Sequence, residues 1–493
     1  LANQTVVNYL DAHKHEHVAK IQELVRQPSV STEGLGIAEY ASLLRDHYAG
    51  IGCSEANVVD SGDDLPGVWA YYDAGAPNTI ACYSYFDTYG VDEARWDNPP
   101  FAATRLPYDG FPEVVMGRGA TVKGSHRAWL NALEAVAAVE GTLPVNVLFL
   151  SEGAEMLGSP NFEEICTAAG ARLDEVDAFL SPRMAERQGS PEVPVVLGYK
   201  NMVTFDLVCS ARTWGRGPTG GTVYGNSKSV VDAPVHRLVQ ALASLLEGDG
   251  NGIAIDGLVD LNHERVELSP GEDRLFAALL ERFADASWNT VLPTTAGVER
   301  WAGDREAADL LYGYLYGPSV NISEIRSAGV GDSPRLTMLL PESARASVEL
   351  RLVTDIGAEE VLERVRRHLL ARGFSEIEVI PFGLWDGQRV PDDTAIVEAA
   401  LSTLEAYGRV PLVWPIQPFG GPWAGAASRR GIPSLTGCAL GYGANGGGAA
   451  NEYFAIDSES NVAGLVAGET YLVDLLSNVA DRLATHSAAG THG

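Results

Sequence analysis

Two short stretches carry most of the groups that could do chemistry. In Tyr83-Ser84-Tyr85-Phe86-Asp87, the alternation of an extended strand puts Tyr83 and Tyr85 on one face, with Asp87 continuing it. This lines up two phenols and a carboxylate. In Ser151-Glu152-Gly153-Ala154-Glu155-Met156, two carboxylates follow a run that reads as a buried strand, Val145 to Leu150. A carboxylate there, with no metal beside it, has its pKa raised by burial and suits general acid/base work near neutral pH. Glu155 is one of the two carboxylates that could carry proton transfer, and its alternative is a structural hydrogen-bond partner. Tyr85 is expected to donate a proton or hydrogen bond to substrate, or else to fill the cavity as an aromatic. Asp87 is expected either to hold a neighbouring polar group or to cap the loop after its strand. Tyr89 joins Tyr83 and Tyr85 in the same cluster.

Other candidates carry less. The glycine-rich stretch 441–448 has no following Lys-Ser/Thr and no strand–loop–helix signature, so a phosphate loop is rejected. His13, His15 and His17 alternate along a predicted helix and are read as surface residues, and His126 is read as a helix-surface or satisfied core residue. Five cysteines are scattered with no CxxC pair, which predicts reduced, mostly buried thiols.

The elements that must position these groups follow from periodicity. Residues 5–26 have helical apolar spacing, 68–72 and 79–86 read as strands, 125–139 as a helix rich in Ala and Leu, and 145–150 as a buried strand. Alternating strand and helix units predict an α/β fold with a mainly parallel sheet covered by helices on both faces. The middle differs: strand 203–208, helix 231–246, a long polar stretch, strand 346–353, helix 358–370 and strand 376–380 form a smaller α+β unit of roughly β-α-β-β-α-β order. The α/β pattern then resumes and ends in a helix near 466–483. The expected division is 1–202 and 383–493 for the α/β domain, interrupted by 203–382, with a disordered tail at 488–493.

The chain has 493 residues, 46% hydrophobic and 20% charged, as an ordinary globular protein does. Its 65 acidic residues against 35 basic give a net charge of −30, a field that repels a phosphate backbone and argues against nucleic-acid binding. No run of eighteen apolar residues offers a membrane span, and the start of the sequence lacks a secretory pattern, so the cytoplasm is the expected location.

Three motifs, in order, resemble the carnosinase/aminoacylase/desuccinylase superfamily of di-zinc metallopeptidases. They are Tyr83 to Thr88 followed by Trp96 and Asn98-Pro99-Pro100-Phe101, then Gly117-Arg118-Gly119-Ala120-Thr121-Val122-Lys123-Gly124, then Ser151 to Ser159. The stretch from Gly443 to Glu452 is similar to the family's last motif. The resemblance covers nearly the whole chain and implies that 203–382 is a dimerising lid, so a homodimer is expected. It also implies zinc ligands that this chain lacks. Where the family has His-x-Asp, the chain has Tyr85-Phe86-Asp87. The bridging carboxylate before Lys123-Gly124 is replaced by Val122. Glu-Glu is Glu155-Met156, Ser-Asp is Ser181-Pro182, and the last His is Gly448. Phenol, thioether, proline, valine and glycine are poor zinc ligands, so no metal and no other cofactor is expected.

By the same resemblance, Glu155 holds the general-base position. Trp214 stands near the lid histidine that reaches the oxyanion in the family, with Arg212 or Arg216 as alternative sources of charge. Asn321 and Arg351 match lid positions that reach substrate. Met156 and Gly448 line the old metal cavity, Lys123 is scaffold, and Lys200 matches a basic position at the domain junction. Gly420-Gly421-Pro422 replaces a Gly-Gly-Ser turn, with one N–H fewer. The expected function is a metal-independent enzyme on an amide, amino-acid or peptide-like small molecule, catalysing cyclisation, elimination, acyl transfer or hydrolysis, in specialised metabolism. Two alternatives remain open: a non-catalytic ligand-binding protein, and a hydrolase with an unusual single metal held by Asp87, Glu152 or Glu155.

Overall fold

A computed structural model describes residues 3–292, 297–327 and 338–490. The chain divides into two compact units. The first comprises residues 1–198, 389–415 and 426–493, and the second comprises 199–388 and 416–425.

The first unit is built on an eight-stranded sheet. Its strands run in the spatial order Glu55–Val59, Gly67–Tyr72, Asn146–Glu152, Thr79–Tyr85, Ala178–Met184, Ser434–Ala439, Glu192–Val196 and Val410–Trp414. The four central strands, from Asn146–Glu152 to Ser434–Ala439, are mutually parallel, and antiparallel pairs flank them. The fold is therefore α/β with a mainly parallel sheet, as the strand–helix alternation predicts. Central strands covered on both faces need apolar side chains throughout, and Asn146–Glu152 is buried at every position. A smaller antiparallel sheet pairs Thr104–Tyr108, Phe111–Met116, Tyr453–Asp457 and Gly443–Ala444.

Helix boundaries depart from the periodicity. Residues 5–26 form two helices, Gln4–Ala12 and Lys14–Arg26, which meet at His13. The Ala/Leu-rich helix begins at Ala120, earlier than predicted, because Gly119 takes a left-handed φ of 83° and turns the chain into it. His17 is not a surface residue. It is buried and its Nδ1 lies 2.9 Å from Glu469, since the helix Lys14–Arg26 packs the face that carries it inward. The last helix runs from Leu465 to Gly490, so 488–490 are helical rather than disordered, while 491–493 lie outside the described residues.

The second unit has its own core beneath a four-stranded antiparallel sheet ordered Ser319–Ser327, Ser343–Leu352, Asn201–Ser210 and Glu378–Trp385. Phe205, Leu207, Leu238, Leu242, Val361 and Leu350 belong to one buried cluster, with the helices Pro234–Ser244 and Ala358–Ala371 laid on one face. Among the described residues, the polar stretch between predicted elements holds the helices Pro270–Arg282, Trp288–Val291 and Ala307–Tyr316. No helix among the described residues is long and apolar enough to cross a membrane.

Candidate active site

The parallel strands Thr79–Tyr85, Asn146–Glu152 and Ala178–Met184 end together, and Tyr85 pairs in register with Glu152. The chain passes from the first of these strands to a neighbour on one side, then to a neighbour on the other. At such a reversal the loops diverge and leave a crevice at the carboxyl ends of the strands.

Asp87 builds the first layer of the site. It is buried, and its carboxylate accepts hydrogen bonds from Ser31 Oγ at 2.7 Å, Glu155 N at 3.0 Å and Met156 N at 2.9 Å. The short 3-10 turn Glu155–Leu157 therefore hangs on Asp87. Burial pushes the Asp87 carboxyl upward, against the pull of these hydrogen bonds. Gly153, just before the turn, has to be glycine: an added Cβ would lie 2.7 Å from the Phe86 ring and 2.8 Å from Ile37.

Glu155 is half-buried on this turn. Burial, and then the charge of Asp87, raise its pKa to about 7, while Arg183 opposes the rise. Behind it, Glu152 is buried. Its Oε1 accepts hydrogen bonds from the Tyr83 hydroxyl at 2.5 Å and Ser159 Oγ at 2.9 Å, and its Oε2 finds no partner. Burial holds Glu152 well above the usual carboxylate range, against the pull of the bonds from Tyr83 and Ser159.

Tyr85 meets Arg183. The guanidinium donates through Nη2 to the Tyr85 hydroxyl at 3.0 Å and lies 5.2 Å from the ring centroid. Burial raises the Tyr85 pKa, so the phenol stays neutral and keeps its proton as a donor. Pro182 has no N–H for the ladder. The Ser181 hydroxyl serves instead, accepting from Tyr83 N at 3.2 Å and donating to Tyr83 O at 2.9 Å. Arg183 follows directly and is exposed.

The second motif forms a helix N-terminus rather than a ligand-bearing loop. Gly119 N, Thr121 N and Thr121 Oγ1 all donate to the buried Glu452 carboxylate, at 2.8, 3.0 and 2.5 Å, and Arg118 pairs with it at 3.1 Å. Arg118 also donates to Gly448 O at 3.2 Å. Lys123 is buried, donating to Gln27 O at 2.8 Å with its ammonium 4.4 Å from the Tyr40 ring centroid. Burial lowers its pKa to about 7, and Glu452 and Asp87 resist. Gly448 faces Tyr89, whose ring would sit 3.5 Å from an added Cβ.

Of the expected site residues, Glu155, Asp87, Tyr85 and Met156 come together in the first unit, with Tyr89 leading on to Gly448. Four others belong to the second unit. Trp214 packs on that unit's core with the Arg237 guanidinium 5.8 Å from its ring centroid, and Arg216 is exposed, 3.5 Å from Asp232. Asn321 is exposed on the strand Ser319–Ser327. Arg351 forms a two-pronged pair with Glu349 at 2.8 and 2.9 Å and also donates to Pro418 O. Lys200 is buried in the same unit and donates to Gly317 O at 2.6 Å. At Gly421, an added Cβ would collide with the Trp423 ring. Sequence reasoning missed Arg183, and it missed Ser31 and Glu452 as supports. The only signal for Arg183 was its place after Ser181-Pro182 at a strand end.

The relatives agree with this fold. No family model matches the chain. Human Beta-Ala-His dipeptidase is 26% identical over 388 residues, covering 74% of this chain and 71% of that protein. Across the solved structures, an M20 family metallo-carboxypeptidase of Sulfolobus solfataricus superposes with a TM-score of 0.75 at 23% identity, covering 94% of this chain and 98% of that one. Human carnosine dipeptidase 1 superposes with a TM-score of 0.71 at 21% identity, covering 97% and 99%. These likenesses support the resemblance to the carnosinase/M20 superfamily. That resemblance implies a pair of metal ions, and the donor chemistry here does not fit one. Among the described residues, no group of three or more His, Cys, Asp or Glu side chains is arranged to hold a metal. Near Tyr85, Asp87 is engaged by two backbone N–H groups and a hydroxyl and Glu152 Oε1 by a phenol and a hydroxyl, which leaves Glu152 Oε2 and Glu155, too few donors for a pair of metal ions.

Proposed function

We propose that this chain, which resembles the carnosinase/M20 superfamily, is an enzyme acting on amide, amino-acid or peptide-like small molecules by general acid/base catalysis, without a di-zinc centre. The observation that carries the reading is Glu155: a half-buried carboxyl brought to about 7, fixed by Asp87 on a short turn, beside a neutral phenol. A group titrating near neutrality can both take and return a proton within one turnover. The relatives support a dipeptide-like substrate, being dipeptidases for Beta-Ala-His and Cys-Gly. Lack of the zinc-bound hydroxide makes an unactivated peptide bond the hardest target, so cyclisation, elimination, acyl transfer or hydrolysis of an activated bond is favoured. A place in specialised metabolism is part of the same reading.

In this reading Glu155 moves the proton, Tyr85 donates a hydrogen bond to substrate, and Asp87 positions the Glu155 turn. Met156 and Gly448 supply apolar and open surface for substrate. Trp214, Arg216, Asn321 and Arg351 are proposed as further substrate contacts, and the second unit as the surface of a homodimer, both on the family resemblance. The test uses untagged protein with zinc measured by elemental analysis. It is incubated with β-alanyl-histidine, cysteinyl-glycine and activated esters and amides of amino acids, with and without chelator. Turnover that ignores chelator and disappears in Glu155→Gln is expected. Two zinc ions per chain together with chelator-sensitive dipeptide cleavage would overturn the metal-independent reading. Ligand binding that Glu155→Gln leaves unchanged, with no turnover in either protein, would favour a binding protein.

A further inference from the structure

Arg183 forms no ion pair among the described residues, and the carboxylate whose charge it feels is that of Glu155. It donates to the Tyr85 hydroxyl, yet no carboxylate among the described residues of its unit pairs with it, although the chain carries 65 acidic residues against 35 basic. The two carboxyls buried nearest the strand ends have other commitments. Asp87 accepts from Ser31, Glu155 N and Met156 N, and Glu152 accepts from Tyr83 and Ser159. The guanidinium has five N–H donors and uses one. Tyr85 accepts that bond on its oxygen, and its own O–H finds no acceptor among the described residues. Two kinds of donor, a planar fork and a polarised phenol, thus converge at the crevice formed by the ends of two parallel strands.

We propose that Arg183 and the Tyr85 hydroxyl form a carboxylate-binding site, which takes the carboxylate of an amino-acid or peptide-like ligand beside Glu155. The fork of Arg183 matches the two oxygens of a carboxylate, and an adjoining phenol O–H adds a third donor. The site deepens the function proposed above by giving its substrate class an anionic end, and it rests on that reading only for the role of Glu155. Arg183 is an exposed residue, so substitutions there are expected to leave the fold intact.

The experiment is isothermal titration of the full chain at pH 7 with N-acetylglycine, its neutral analogue N-acetylglycinamide, and inorganic phosphate. N-acetylglycine is expected to bind at least tenfold more tightly than the amide and than phosphate. Arg183→Gln is expected to lose at least tenfold in N-acetylglycine affinity, Arg183→Lys to lose less because it keeps the charge without the fork, and Tyr85→Phe to lose a few-fold. Near-ultraviolet circular dichroism checks that each variant is folded. Equal binding by Arg183→Gln, equal binding of the amide, no binding by the parent protein, or a preference for phosphate would each overturn the site. If N-acetylglycine binds through Arg183 but no substrate is turned over, the site stands and the catalytic reading falls. If turnover persists in Arg183→Gln with an unchanged KM, the catalytic reading stands and the site falls.

Discussion

A carboxyl that titrates at about 7 is placed by opposing causes, and each can be removed separately. Burial and the Asp87 charge push Glu155 up, and the Arg183 charge pulls it down. Acting as a base, Glu155 works in its ionised form, so kcat/KM should rise with pH and level off above about 7. Removing the cation in Arg183→Gln destabilises the ionised form, and the midpoint of that limb should move to higher pH. A midpoint that stays in place, or moves down, would dissociate Arg183 from Glu155. Glu152 gives a second, independent titration. Its folded-state pKa lies above its unfolded value, so the folded chain holds a proton that the unfolded chain releases. The stability this group contributes is complete at pH values below the unfolded pKa and is lost as pH rises towards the folded one. Glu152→Gln cannot ionise, so its melting temperature relative to the parent should improve steadily between pH 5 and 8. The sequence made Glu155, Tyr85 and Asp87 legible because strand alternation and motif spacing are local properties. Arg183 was not legible, because an arginine at a strand end acquires meaning only from the neighbouring strand that brings Tyr85 to it.

At the scale of elements, the helix Ala120–Glu140 shows how a boundary escapes local reading. It has no Ser, Thr, Asp or Asn at its N-cap, where Gly119 stands, and no acidic residue in its first turn. Its free N–H groups are met by Glu452, 333 residues from Gly119 along the chain, so the periodicity placed the start several residues late. The long parallel strands needed no such help, since unbroken apolar runs bounded by turn residues identify them directly. Glu452 combines a cap, a dipole partner and an ion pair with Arg118. Glu452→Gln keeps the size and hydrogen-bonding oxygen but loses the charge, and should destabilise by about 1–2 kcal/mol in chemical denaturation. Asp87→Ala removes the acceptor of three hydrogen bonds and leaves two N–H groups of the Glu155 turn without theirs, and should destabilise by about 2–4 kcal/mol. If Asp87→Ala instead matched the parent in stability, the turn would have to be held by something other than this carboxylate.

Among the described residues each of the two units has its own buried core, and the first adds a smaller cluster around Phe111, Val114 and Tyr453 at its small antiparallel sheet. The first unit is assembled from segments at both ends of the sequence, while the second is a nearly continuous stretch from Tyr199 to Gln388 joined by 416–425. Its buried cluster around Phe205, Leu238, Leu350 and Val361 is complete within the unit. The shift in the middle of the sequence from strand–helix alternation to a shorter α+β pattern was readable for this reason: each core imposes its own periodicity on the residues that fill it. Helices such as Pro270–Arg282 were harder to see because their buried faces are narrow; only Glu272 and Leu279 of that helix are buried. Separate cores need not melt together, since cooperativity depends on the burial that segments share. Differential scanning calorimetry should therefore give a calorimetric enthalpy larger than the van't Hoff enthalpy, with two overlapping transitions. The Glu452→Gln and Asp87→Ala substitutions, both in the first unit, should shift one transition and leave the other in place. A single transition with equal enthalpies, displaced as a whole by either substitution, would mean that the two cores unfold as one.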